Sequence, residues 1–426
     1  MKDYGSAMMG TSNTSQPQVK IAGYVIGGSL KEGLRVRLTI PSEEIQEGGF
    51  VVVESGEWLF YGLVTDVQLG STDPRFADEQ SEMRLPGNLA GLLHGQTLYT
   101  NIEVLPTLML ERGPELNDPR YPEWRQSQLS DPAPVPVKTV PQHHASVRLA
   151  EAGDVAAIFG NQDKKENFVI GTTREQGHPV CINLEKFVQR SSGIFGATGT
   201  GKSFLTRIIL AGLIHFDKAS VLMFDMHNEY GYDDTASDTG QKVVGLRTKF
   251  PSRVRVVGLG RGATIRGQAP DFNLEIAKSD ILPGDIEMLA RELNLKETTP
   301  VTLEALFHQY GRNWLHEFEK MVPGKMEDVE DDNGKIKKIY ARDSVEGWAR
   351  EAGVNEMAAA ALHSKLSRVF NRPYVVEKPA ADALREIIAM LEKNQHVILS
   401  FGDFDSDLDY LLVANLLTRR IRDAWE

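Results

Sequence analysis

Residues 196–203 read Gly196-Ala197-Thr198-Gly199-Thr200-Gly201-Lys202-Ser203. They stand between a short apolar run, Ser192 to Phe195, and a stretch in which Phe204, Leu205, Ile208, Ile209 and Leu213 recur at helical spacing. Strand, glycine loop and helix, in that order, form the context in which this pattern cradles a nucleotide phosphate. The glycines let successive backbone N–H groups turn inward around an anion, and the helix N-terminus adds partial positive charge at the same point. In such a loop Lys202 reaches the β and γ phosphates and the Ser203 hydroxyl ligates Mg²⁺. Nothing structural requires a lysine and a hydroxyl at those two places. ATP with Mg²⁺ is therefore the expected ligand, held by residues 196–203 and by Phe204 at the start of the helix.

Working outward, Val221 to Phe224 and Val254 to Val257 are buried-type strands without polar alternation. With the run at 192–195 they predict a parallel sheet covered on both faces, an α/β P-loop fold. Asp225 ends the second run and stands at the carboxyl edge of such a sheet, where α/β folds bind ligands. It could face the Mg²⁺, or it could be turn chemistry. The segment Asp225-Met226-His227-Asn228-Glu229-Tyr230-Gly231 concentrates acid, imidazole and amide just beyond the strand. Glu229 could orient or deprotonate an attacking water, or serve the loop alone. From about 285 to 372 the apolar spacing turns helical, predicting an insertion, with Asp332-Asn333-Gly334-Lys335 as a hairpin turn inside it. The sheet resumes at His396 to Ser400, and an amphipathic helix from about Asp409 carries the chain to Glu426.

The amino-terminal part has another style. Residues 1–17 are small and polar and are expected to be a disordered tail. From Val19 to Gln68, short runs rich in Val, Ile, Tyr and Phe alternate with glycine breaks, predicting a small antiparallel β-barrel. Later runs at Leu98 to Leu110, Ser146 to Leu149 and Asn167 to Thr172 are candidates to complete it. Residues 113–142 contain seven prolines and are expected to form a long loop. The expected organisation is thus a tail, a barrel domain over 18–176 and a P-loop domain over 177–426. Trp58, Phe60 and Tyr61 read as core rather than as a base-stacking platform, and His143-His144 lacks further ligands at metal-binding spacing.

Composition narrows the function classes. Forty-seven Lys and Arg against 59 Asp and Glu give 47 − 59 = −12, which argues against a coat of positive charge for wrapping nucleic acid but leaves room for a local basic pore. A single cysteine, Cys181, cannot form an internal disulfide, and a reducing cytosol fits. No apolar run reaches the length of a membrane span, so no membrane partner is expected.

The phosphate loop, the FDMHNEYG segment (residues 224–231) and the preceding barrel together resemble HerA, the ring-forming DNA-translocating ATPase family related to FtsK. That family's segment reads Asp-Pro-His-Gly-Glu-Tyr or close to it. Asp225, His227, Glu229 and Tyr230 match, while Met226 and Asn228 replace the usual proline and glycine. Arg190 occupies the place of a family arginine thought to touch nucleotide. The resemblance implies a cytoplasmic homo-oligomer, most simply a hexamer, acting on duplex DNA in end processing or phage defence, with a possible nuclease partner. Lys202, Asp225 and Glu229 are its implied catalytic residues, and Ser203 and Asp225 its metal ligands. The family further expects, after a strand and helix like His396 to Trp425, a strand ending in Glu-Glu-Ala-His and an arginine finger, and neither is present; Asp403 and Asp405 are the candidates to substitute for the missing glutamate. On that pattern the chain resembles a truncated or split member that binds ATP but turns it over slowly. The rival of another class is a nucleotide-binding scaffold whose catalytic half another chain supplies; a kinase lacks any acceptor-site signature.

Overall fold

The structure, a computed structural model, describes residues 20–72, 98–114, 117–127, 133–235, 240–330 and 336–426. The expected tail over 1–17 and the Asp332-Asn333-Gly334-Lys335 turn lie outside the described residues. The chain divides into two compact units, 1–191 and 192–426.

Alternating apolar residues close the first unit on itself. Six antiparallel strands run in the spatial order Gly33–Leu38, Ile21–Ser29, Ser146–Leu149, Phe50–Ser55, Trp58–Ser71 and Leu98–Glu111, and the last pairs back onto the first. The closing pairing joins residues 34–37 to 101–104 and leaves the later part of Leu98–Glu111 as an edge. The interior holds Val25, Val36, Val51, Val53, Phe60, Ile102, Val104 and Val147. On the outside, Tyr61 and Val52 pack with Val155 of the helix Ala152–Phe159, so Phe60 and Tyr61 are core residues as expected. Burial pushes the Tyr61 hydroxyl up to about 12. Two expectations need correction. Asn167–Thr172 does not complete the barrel but pairs with Pro179–Asn183 in a separate hairpin, a local partner only a short turn away. The proline-rich stretch is not loop throughout: Tyr121–Ser127 is helical, with Pro122 in the first turn where its missing N–H costs nothing, and Val135–Pro136 pairs with Leu108 and Met109.

The second unit is built on a parallel sheet in the order Leu222–Asp225, His396–Ser400, Val254–Leu259, Phe272–Leu274. Its faces are read from alternate residues. Val256 and Ile398 pack with Leu210 and Ile214 of the helix Lys202–His215. Val257, Val397 and Leu399 face the other way, against Leu412, Val413 and Leu416 of the final helix, Asp407–Trp425. His396–Ser400 is buried at all five positions, as its uninterrupted apolar reading requires. The insertion is helical as expected, through Thr299–Tyr310, Trp314–Lys320, Val345–Glu351 and Glu356–Phe370. It is broken by an exposed antiparallel pair, Met326–Glu330 with Ile336–Tyr340.

The expected strand at Ser192–Phe195 is not formed. The segment is irregular, and Phe195 is 93% exposed. Strand propensity in Ile194 and Phe195 becomes a strand only where a neighbour offers a ladder, and none of the described strands pairs with it.

Candidate functional site

The phosphate loop is shaped by backbone conformations that side chains resist. Gly199 and Gly201 have φ of 83° and 90°, in the left-handed region, so both positions require glycine. A β-carbon on Gly196 would stand 2.5 Å from Thr200 Oγ1. The Ala197 carbonyl gathers the loop: it accepts from Thr200 Oγ1 at 2.8 Å and from Lys202 Nζ at 2.7 Å. The lysine head is thereby held against the loop. Residues 195–201 are all exposed, and the helix Lys202–His215 begins at Gly201 with no side-chain cap on its first N–H groups. Uncapped N–H groups, the helix dipole and a fixed ammonium come together at one exposed loop, which suits a polyphosphate. Ser203 follows in the first turn, half-buried, with its hydroxyl available as a metal ligand; Phe204 is 57% exposed. The residues present thus fit a nucleotide with a divalent cation.

Asp225 is placed otherwise than a free carboxylate. It is 1% exposed at the carboxyl end of its strand, and its Oδ1 and Oδ2 accept the backbone N–H groups of Glu229 and Tyr230, both at 2.9 Å. Burial raises the Asp225 carboxyl above its ordinary range, against the pull of those two N–H groups toward the charged form. The carboxylate therefore organises the turn that follows it. Asn228 sits in that turn at φ 56°, and its amide exchanges two bonds with Gly402, donating to the carbonyl at 3.0 Å and accepting from the N–H at 3.1 Å. This ties the segment to the end of the neighbouring strand. The Glu229 side chain is half-buried, beside Asp225, and forms no hydrogen bond or ion pair among the described residues.

The structure brings the phosphate-loop helix and this turn together through a residue that sequence reasoning missed. Arg207, one turn beyond Ser203, donates to the Glu229 carbonyl and lies over the Tyr230 ring with 5.6 Å to the centroid. Its spacing from Ser203 puts both on one helix face, which was the available signal. Asp403 and Asp405 are exposed beyond the strand end, Arg190 is exposed in the first unit, and His143-His144 joins no group of three metal-ligating side chains among the described residues.

Comparison with protein-family models matches residues 168–421 to the family described as Helicase HerA, central domain. No curated protein matches the chain. No helix among the described residues is long and apolar enough to cross a membrane. With the matched span covering more than half of the 426 residues and the phosphate loop inside it at the head of its helix, the chain belongs to the HerA family of P-loop ATPases.

Proposed function

We propose that this protein is the motor module of a ring-forming DNA translocase, a homohexamer that hydrolyses ATP with Mg²⁺ while moving on duplex DNA, with a nuclease as its natural partner in end processing or phage defence. The observation that carries the reading is the phosphate loop with its anchored Lys202 inside a HerA central domain. Lys202 and the loop N–H groups bind the phosphates, and the Ser203 hydroxyl ligates the cation. Bound Mg²⁺ supplies neutralisation of charge on the transferring phosphoryl group. Glu229, whose carboxylate is uncommitted, orients the attacking water. Asp225 holds the turn from which Glu229 projects, and a role for it at the metal would need one of its engaged oxygens to accept a second partner. A total charge of −12 is compatible with DNA binding because only groups lining a pore would meet phosphates.

The test is steady-state phosphate release with and without linear duplex DNA, beside a Lys202→Ala control. Stimulation by DNA that vanishes in the control supports the motor; turnover indifferent to DNA removes the translocase reading and leaves an ATPase. One observation favours a second reading, a nucleotide-binding scaffold: both Asp225 oxygens serve the backbone. That reading requires tight ATP binding without turnover at any DNA concentration.

A further inference from the structure

Ile265 and Gln268 exchange two backbone hydrogen bonds, at 2.9 and 3.0 Å, and close a two-residue turn over Arg266 and Gly267. Both central residues have positive φ, 51° and 74°. Turns of this hand favour asparagine or glycine at the first place, because a β-carbon crowds the backbone there. An arginine is thus held against its own conformational preference, and its side chain shows what holds it. Nε donates to the Asn228 carbonyl at 2.5 Å, and Nη1 pairs with Asp234. The next carbonyl along, that of Glu229, accepts from Arg207. Two consecutive carbonyls of one turn are therefore gripped by two arginines, one from the phosphate-loop helix and one from a strained turn.

We propose that Arg266 is a positioning residue: by fixing the Asn228 carbonyl it sets the direction in which the Glu229 side chain leaves the turn, so that the rate of ATP hydrolysis depends on it and the affinity for ATP does not. The proposal rests on the assignment of Glu229 as the water-orienting carboxylate. Strain retained at a residue 38 positions from the carbonyl it binds is explained when that carbonyl must be held still. Arg207 anchors the turn from the helix side, and Arg266 from the side away from it in sequence.

The experiment compares Arg266→Gln, Arg266→Lys, Glu229→Gln and the double variant Arg266→Gln/Glu229→Gln in the full chain. It measures amide hydrogen exchange over residues 226–231 without nucleotide, affinity for a fluorescent ATP analogue, and the hydrolysis rate at saturating ATP. Arg266→Gln is expected to speed exchange in the turn, to leave affinity within about twofold, and to lower the rate about 10- to 100-fold, the scale of a misplaced catalytic group. Arg266→Lys should recover part of both effects, since an ammonium can donate to the same carbonyl. The double variant should be no slower than Glu229→Gln. An unchanged rate in Arg266→Gln, or losses that multiply in the double variant, would overturn the proposal while leaving Glu229 in place. An unchanged rate in Glu229→Gln would instead remove the Glu229 assignment, and the proposal with it. If Arg266→Gln does not fold, Asp234→Asn loosens the same guanidinium, and unchanged exchange and rate in that variant would be equally contrary.

Discussion

Asp225 shows how one side chain can look catalytic in sequence and architectural in space. A carboxylate at the end of a buried strand is 1% exposed and joined to two backbone N–H groups. Asp225→Asn keeps one acceptor but turns an NH₂ group toward the other N–H. The expected cost is about 1–3 kcal/mol of stability, the scale of an unsatisfied buried polar group, read as a lower urea midpoint. Nucleotide affinity should be little changed; a large loss of Mg²⁺-dependent affinity at unchanged stability would make Asp225 a metal ligand instead. His396 offers a second prediction at this scale. It is 1% exposed with neither ring nitrogen hydrogen-bonded among the described residues, and burial, then the nearby Arg253 charge, lower its pKa from 6.5. The unfolded chain therefore takes up the proton first as pH falls. Stability from the neutral ring is full above 6.5 and declines as pH drops through 6.5 toward the lower folded value. His396→Phe should flatten that decline in thermal melts; an equally steep decline would assign the pH dependence elsewhere.

Among the elements, the final helix Asp407–Trp425 is fastened by buried carboxylates that no local pattern announces. Asp285 accepts two bonds from Arg419, at 3.0 and 2.8 Å, and another from Asn415, although its side chain is only 1% exposed. Near the other end Asp409 accepts from Tyr374 at 2.6 Å and pairs with Arg372. Asp285→Ala would leave the Arg419 guanidinium, 23% exposed, with the Asp280 carbonyl and the more distant Asp423 but without its buried carboxylate. The expected loss is about 3–5 kcal/mol, measured by urea unfolding; a loss below about 1 kcal/mol would place the pair among weak surface bridges. Such contacts mark the limit of what was legible. Three of the four strands of the parallel sheet, the helix after the loop and the helical insertion announce themselves in runs and periods of apolar residues, whereas the three-residue strand Phe272–Leu274 is too short to do so. Asp285 and Arg419 lie 134 positions apart, and nothing local links them. The same reasoning covers the failed strand at 192–195, since pairing is decided by a distant neighbour and not by the four residues themselves. Glycines 199 and 201, by contrast, were readable because their conformations are local.

At the scale of the whole molecule, a closed antiparallel barrel and a parallel α/β unit occur in one chain, and the family match covers most of the second. The motif was legible because phosphate binding needs a few residues at fixed spacing. The two arginines that grip the Asn228 and Glu229 carbonyls were not, because they come from different elements. The central claim is that the loop at 196–203 binds the nucleotide phosphates, and equilibrium titration with a fluorescent ATP analogue, with and without Mg²⁺, tests it most directly. The parent chain should bind, more tightly with the cation, and Lys202→Ala should bind about 10- to 100-fold more weakly, the effect of losing one charge-assisted bond of about 1.5–3 kcal/mol. Equal affinity in parent and variant, or no binding by the parent, would contradict it.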